Sequence, residues 1–352
     1  IVDDGTNVYT DTLLGIEQAQ LISNYTGNVT IDASAFTGSS VLIQARQTAA
    51  GTQNTLLGGT GVNDISGGDG NDYIEGQDNA DTLSGNGGDD TIKGGGSTDT
   101  LYGGDGNDVL RGGAGSDTLY GGEGEDSVRG GDGMDVIDGG DGIARLVASG
   151  DLDYELANSL LLGNGPDTLS SIETATLEGG SSANTIDASA FTLGGTILRG
   201  LDGNDTLIGS IRSDVIEGGD GIDTLTSGSV LDSDIFLFNS IGDGVAIITD
   251  FATTPSLLLG GGRDMIHVSA SGFAAGSGAT ALNLGVLQAS QFVEGTVSLG
   301  SSAGFRYDAT VGDLYFDANG NGAGGSILLA NITNTAGGIL SFADMSDSIE
   351  VI

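Results

Sequence analysis

Along much of the chain one aliphatic residue returns every nine positions, set between two polar neighbours and followed by a Gly-rich, Asp-containing stretch. From Gly58 to Val147 ten copies of G-G-x-G-x-D-x-U-x run without insertion, and U is Ile65, Ile74, Leu83, Ile92, Leu101, Leu110, Leu119, Val128, Ile137 and Leu146. The x-U-x tail predicts a three-residue strand with one side chain inward. Glycine at positions one, two and four predicts a tight turn built on positive φ. One such strand buries almost nothing alone, so the copies must stack. Two per coil, on opposite walls of a thin core, place each strand about 4.8 Å from the equivalent strand two copies on. The predicted class is all-β, a parallel β-roll or β-helix solenoid.

Position six is Asp in eight consecutive copies: Asp72, Asp81, Asp90, Asp99, Asp108, Asp117, Asp126 and Asp135, flanked by Asn63 and Ala144. Stacking lines these carboxylates up in two columns. At that spacing and an effective dielectric near 20, each like-charge neighbour costs on the order of 3 kcal/mol, so a cation between coils is expected. A ligand set of carboxylates and backbone carbonyls selects a hard ion, and irregular high coordination suits Ca²⁺ better than Mg²⁺.

Composition sharpens this picture. The 352 residues include 66 Gly, 2 Pro, no Cys and no Trp, with 49 Asp+Glu against 9 Lys+Arg, a formal charge of -40. Such acidity excludes nucleic acid as a partner, and the absence of Cys excludes disulfides and thiolate sites. Hydrophobic residues at 38% are enough for a core if correctly spaced, which argues against disorder. No run of 18 apolar residues predicts a transmembrane helix. The opening Ile1-Val2-Asp3-Asp4 lacks an initiator Met and a signal peptide, and a longer parent chain is expected.

The repeat resembles the RTX (repeats-in-toxin) family, the hemolysin-type calcium-binding nonapeptide. The resemblance implies a parallel β-roll in which each Ca²⁺ sits between copies n and n+2, held by turn carbonyls and both position-six side chains. On this chain it implies one column of Asp72, Asp90, Asp108 and Asp126, and another of Asn63, Asp81, Asp99, Asp117 and Asp135. Gln77, Asn79, Asn86 and Ser97 replace turn glycines, and weaker sites are expected there.

A second level of repetition is present. Asn28–Thr37 recurs as Asn184–Thr192, and Asp11–Glu17 as Asp167–Glu173, at an offset of about 156 residues. The expected organisation is a lead-in without calcium turns over 1–48, a first nonapeptide block over 49–147, a second lead-in over 148–199, a second block over 200–237, and a β-rich cap over 238–352. The second block supplies Asp205, Asp214 and Asp223, then Asp234 after a two-residue slip, with Phe236 in the apolar slot. Ser210 and Arg212 replace turn glycines around Asp214, making a site there doubtful.

After residue 235 longer apolar runs and aromatics predict strands that close the solenoid, as terminal copies require. This stretch resembles the segment following RTX blocks in serralysin-type proteases and other type I secreted proteins, which implies an uncleaved export signal ending at Asp347–Ile352. Asp317-Ala318-Asn319-Gly320-Asn321-Gly322 opens like a calcium loop but carries Leu328 where a bidentate Glu is needed, so a β-hairpin is expected.

No catalytic residue is expected. The single His267 lies on an apolar alternation, there is no H-E-x-x-H, and no G-x-S-x-G elbow precedes that His. The expected function is a secreted, extracellular or cell-surface bacterial protein that folds on Ca²⁺ after export by type I secretion machinery. It would serve as a self-associating structural component of a surface layer, filament or adhesin. The rival reading is a calcium-dependent folding and export module for an upstream hydrolase, protease or epimerase. A membrane-active toxin would need apolar segments not found here.

Overall fold

The computed structural model describes residues 17–24, 27–46, 51–229, 232–240, 242–252, 263–269, 273, 285–286, 292–294, 304–317, 326–334, 339–340, 345 and 348–352. Asp11–Ile16 of the upstream repeat, residues 318–322 of the Asp317 motif and Asp347 lie outside these residues. The chain forms two compact units, Ile1–Ala148 with Asn158–Ala175, and Ser149–Ala157 with Thr176–Ile352.

In the first unit the nonapeptides alternate between two parallel sheets. One wall holds Val62–Asp69, Thr82–Gly87, Thr100–Asp105, Thr118–Gly124 and Val136–Gly142; the other holds Tyr73–Gln77, Thr91–Gly96, Val109–Ala114 and Ser127–Asp132. Each strand pairs with its equivalent two copies on, in register, as in Leu101 beside Leu119 and Leu110 beside Val128. The position-eight side chains meet in the core, and from Ile65 to Leu146 none is more than 1% exposed. Burying each such side chain contributes roughly 1.5–3 kcal/mol, so the stack, not any one copy, carries the stability.

The strands are longer than x-U-x. Thr100–Asp105 runs from position seven through position three of the following copy, because extended Gly-Gly-x backbone can satisfy its N–H and C=O groups on the neighbouring coil. The glycines also divide their work differently from the sequence expectation. From Gly68 onward, positive φ occurs at positions two and four, for example Gly104 at 122° and Gly106 at 130°, whereas the position-one glycines are not in that region. In this block the turn keeps this conformation where glycine is replaced: Gln77, Asn79, Asn86 and Ser97 all adopt it, with φ between 72° and 85°, whereas Ser210 and Arg212 in the second block do not.

Ahead of the nonapeptides, Gln18–Ser23 and Ser40–Ala45 extend the first wall, and Thr30–Asp32 with Thr55–Leu57 extend the second. Beyond them, Pro166–Ser170 continues the first wall by pairing with Val136–Gly142.

The second unit repeats the scheme. Thr196–Asp202, Val215–Asp220, Ile235–Phe238, Met265–Val268 and Ile349–Val351 form one parallel ladder, in which Ile216, Phe236, Ile266 and Ile349 stack. Tyr154–Ala157, Thr185–Ala190, Thr206–Ile208, Ile222–Thr226 and Val245–Ile248 form the other. Ser326–Ile332 joins that wall and turns it into an antiparallel group with Asp313–Asp317 and Gly304–Asp308. Asp317 pairs with Ser326, so the strands flanking the Asp317 motif form a hairpin. Phe273, Phe305 and Phe316 pack together behind it, with Phe273 and Phe316 edge-on at 5.0 Å.

Candidate metal centre

Position six ends the tight turn and starts the next strand, so its side chain points into the corner of the coil. There the eight carboxylates Asp72, Asp81, Asp90, Asp99, Asp108, Asp117, Asp126 and Asp135 are at most 3% exposed. They form the two columns expected. In each, one carboxylate oxygen, Oδ1, accepts the backbone N–H of the position-six residue two copies earlier. Asp90 accepts from Asp72 at 2.6 Å, Asp108 from Asp90 at 2.7 Å and Asp126 from Asp108 at 2.8 Å. In the other column Asp81 accepts from Asn63 at 2.7 Å, and Asp99, Asp117 and Asp135 continue at 2.8 Å.

The second oxygen is different. Oδ2 of all eight, together with Asp205 and Asp234, is buried without any hydrogen bond. Each of the eight lies against the position-one glycine of its own copy, mostly beside the position-one carbonyl two copies on. A Cβ on Gly94 would press on Asp99 Oδ2 and Gly112 O, and one on Gly103 on Asp108 Oδ2 and Gly121 O. Position one is therefore Gly to leave a cradle, not to reach positive φ. Orphaned carboxylate oxygens are strongly destabilising.

Electrostatics agree. Burial pushes the Asp90 carboxyl up to about 8, Asp99 to about 7, and Asp72, Asp81, Asp108 and Asp117 to about 6. Asp126 and Asp135 are raised for the same reason. The donated backbone N–H opposes the rise, and neighbouring carboxylates add to it only as smaller contributions. The sequence argument placed the cost in repulsion along the column; loss of water is the larger cause.

Asn63 occupies its position in another way. Its Oδ1 accepts the Gly59 N–H at 2.9 Å, while Nδ2 donates to Gly59 O, Gly61 O, Gly76 O and Asp81 Oδ1 at 2.8–3.1 Å. An amide nitrogen thus fills the place where four oxygens converge. In this orientation Asn63 offers that point a donor, not a ligand oxygen.

The second unit carries shorter columns. Asp205 accepts from Asn184 at 2.7 Å and Asp223 from Asp205 at 2.9 Å. Asp214 accepts from Thr196, and Asp234 from Asp214 at 2.8 Å. Burial raises Asp205, and brings Asp214 and Asp223 up to about 6. Asp234 is raised, first by burial and then by Asp264 beside it. Asp214 is the exception: Ser210 donates its N–H to Asp214 Oδ2 at 2.7 Å and its hydroxyl at 3.2 Å. The substitution that made this copy suspect thus supplies the hydrogen bonds a cation would otherwise replace.

Several position-six residues escaped the sequence reading. Asn54 donates its N–H to Asp72 Oδ1 at 2.8 Å and its amide to Gly67 O at 3.2 Å. Asp167 accepts from Asp135 at 2.9 Å across 32 residues, and burial raises it to about 6. Asp264 accepts from Asp234 at 3.1 Å. The signal was present in Gly165-Pro166-Asp167-Thr168-Leu169 and Gly262-Arg263-Asp264-Met265-Ile266, each with Gly, Asp and an aliphatic at positions four, six and eight. Insertions had broken the nine-residue phase.

Among the described residues no three acidic or His side chains converge on one point. A cation here must draw much of its coordination from backbone carbonyls, as the oxygens around the Asn63 amide illustrate. An all-oxygen cradle with a buried, uncompensated carboxylate fits a hard divalent ion. His267 lies elsewhere, with Nε2 3.4 Å from Glu350 Oε2.

Comparison with known proteins agrees with this geometry. The RTX calcium-binding nonapeptide repeat (4 copies) family matches residues 50–83, 57–92, 75–110, 111–146 and 193–230. No curated protein matches. Among solved structures, the extracellular lipase LipA from Serratia marcescens is similar at 14% identity over 86% of this chain, with a TM-score of 0.21. This chain spans 45% of that lipase's length. Together these matches cover residues 50–146 and 193–230, the two blocks in which this chain is similar to the RTX calcium-binding nonapeptide repeat.

Proposed function

We propose that this is a secreted bacterial protein whose solenoid folds when Ca²⁺ enters the position-six columns outside the cell, and which then serves as a self-associating structural component at the cell surface or in the extracellular matrix. The observation carrying the calcium reading is the set of ten buried Oδ2 atoms without a hydrogen bond. Asp72, Asp90, Asp108 and Asp126 would hold ions in one column, Asp81, Asp99, Asp117 and Asp135 in the other, and Asp205, Asp223 and Asp234 in the second unit. Asp214 and Asn63 are the weakest members, because hydrogen bonds already fill their sites.

Extracellular calcium modules bind at about 10⁻⁴ to 10⁻³ M. A chain with such sites stays unfolded in calcium-poor cytosol and passes an export channel before folding, since binding and folding are one event. The tandem pair of repeat blocks supports a structural role over an export appendage, which has no need of a second block. Circular dichroism with sedimentation velocity, titrated from chelator to about 10 mM Ca²⁺, tests both parts. A cooperative coil-to-β transition with growth into large assemblies is expected. Folding in chelator at neutral pH would refute the calcium role. A calcium-folded monomer would refute the structural role and favour a folding and export module for a larger enzyme.

A further inference from the structure

The two carboxylate columns of the first unit lie in turns that are built differently. Asp72, Asp90, Asp108 and Asp126 close the turns that begin at Gly67, Gly85, Gly103 and Gly121; Asp81, Asp99, Asp117 and Asp135 close those that begin at Gly76, Gly94, Gly112 and Gly130. In both columns the position-six carboxylate reaches back to the coil before it. In the first column position five reaches forward as well. Asn71 Oδ1 accepts the Asp89 N–H at 3.0 Å, Asp89 Oδ1 the Asn107 N–H at 2.9 Å, and Asn107 Oδ1 the Glu125 N–H at 2.8 Å. The backbone follows the same line: the position-four N–H groups of Gly70, Gly88 and Gly106 donate to the position-three carbonyls of Gly87, Asp105 and Glu123. Each turn is thus fastened to the coil on either side, and the protein alone holds its carbonyls in place.

The second column has little of this. Its position-five residues are Ala80, Thr98, Ser116 and Met134, and among these described residues only Ser116 accepts the forward N–H, from Met134 at a long 3.3 Å. The forward backbone bond is present at Gly115, to Asp132 O. Asn79 reaches the preceding turn through its side chain, donating to Thr60 O at 2.5 Å. Positions two and four of these turns include Gln77, Asn79 and Ser97, held at the positive φ that glycine adopts without penalty; the first column's turns contain one such residue, Asn86.

We infer that Asn71, Asp89 and Asn107 are positioning residues that divide the calcium sites of the first unit into two classes. The column of Asp72, Asp90, Asp108 and Asp126 fills first, as the roll folds, and the column of Asp81, Asp99, Asp117 and Asp135 fills at higher calcium. This rests on the calcium reading above. The three side chains are exposed and bond backbone, so they act on the sites by holding the turns. A site whose groups are already in place binds more tightly than one the ion must order, because apparent affinity scales with the fraction of the chain in the competent form. One ordinary hydrogen bond per turn changes that fraction about fivefold, so the two classes separate by that factor or more. The second unit uses the same device at Asn204, whose Oδ1 accepts the Ile222 N–H at 2.8 Å beside the turns of Asp205 and Asp223.

The test titrates the whole chain with Ca²⁺ from chelator to about 10 mM, reading ions bound by equilibrium dialysis and β structure by circular dichroism in the same samples. Two binding steps are expected, with the circular dichroism change complete in the first. N107A should raise the midpoint of the first step about fivefold, the effect of one hydrogen bond, and N107D, which keeps the accepting oxygen, should restore it. A80N/T98N/S116N writes the position-five ladder into the second column and should lower the midpoint of the second step while leaving the first. D99N/D117N should subtract ions from the second step alone. A single binding step in the wild type, or two steps that N107A and the triple Asn variant leave unmoved, overturns the division into classes while the calcium role stands. A wild type that binds no calcium across the titration overturns the calcium reading and the division together.

Discussion

Replacing Asp108 by Asn separates the two faces of a position-six carboxylate. Burial holds this carboxyl at about 6 against an ordinary 3.8, two units or so above the unfolded chain. At 1.36 kcal/mol per unit, ionisation opposes folding by ~3 kcal/mol at pH 7.5, and solvent reaching through a one-layer wall roughly halves this to ~1.5 kcal/mol. The sign follows from linkage: the metal-free fold is favoured below the unfolded value and loses stability as pH rises through the folded value. The Asn side chain keeps the oxygen that accepts the Asp90 N–H, and Asn63 shows an amide satisfied at this position. In chelator, D108N should therefore hold its β structure to a higher pH than wild type, followed by circular dichroism from pH 5 to 8. In calcium the order should invert, because an ionised ligand is gone; a loss of ~1.4 kcal/mol raises the calcium midpoint about tenfold. If D108N lowered stability equally with and without calcium, the attribution of the metal-free penalty to a buried charge would be wrong.

Asn63→Asp should convert the amide-filled rung into an additional calcium site, read by calorimetric titration as one more ion bound per chain and a greater loss of structure in chelator. Leu101→Ala, in a side chain with no exposure, should cost ~2–5 kcal/mol in urea unfolding of the calcium-loaded protein. Leu201 sits at φ 76° and is 45% exposed, so Leu201→Gly should stabilise by about 1 kcal/mol, seen as a raised melting temperature. Gly94→Ala should lower calcium affinity far more than Gly96→Ala, since only the former's Cβ enters the Asp99 cradle.

The phase of the nonapeptide was legible because position eight is aliphatic without exception, and one buried side chain per copy suffices to fix wall, register and the inward direction of position six. Strand length was not, because the extra pairing involves glycines whose backbone, not side chain, does the bonding. Position-one Gly was read as a turn residue although its neighbour is a carboxylate five residues on, a contact no local pattern reveals. Asp167 and Asp264 were hidden for another reason: a ladder closes in space, so an insertion between rungs leaves the contact intact while shifting the sequence count. Asn63 was grouped with the acids on position alone, and only the four oxygens gathered around its two amide N–H donors separate an amide from a ligand.

The in-register pairing of each strand with the one 18 residues later also bears on how the chain acquires its structure. Within the first nonapeptide block each ladder contact closes a loop of the same short length, so the entropic toll of adding a coil is constant along that block and does not grow with the size already built. Short sequence separations favour rapid formation, and the growing end is always the next segment in sequence. Because Asp72 lends its N–H to Asp90, and Asp90 to Asp108, each rung is completed by residues synthesised after it. A chain released from one end can thus close its coils in the order they appear, with no need to search for a distant partner.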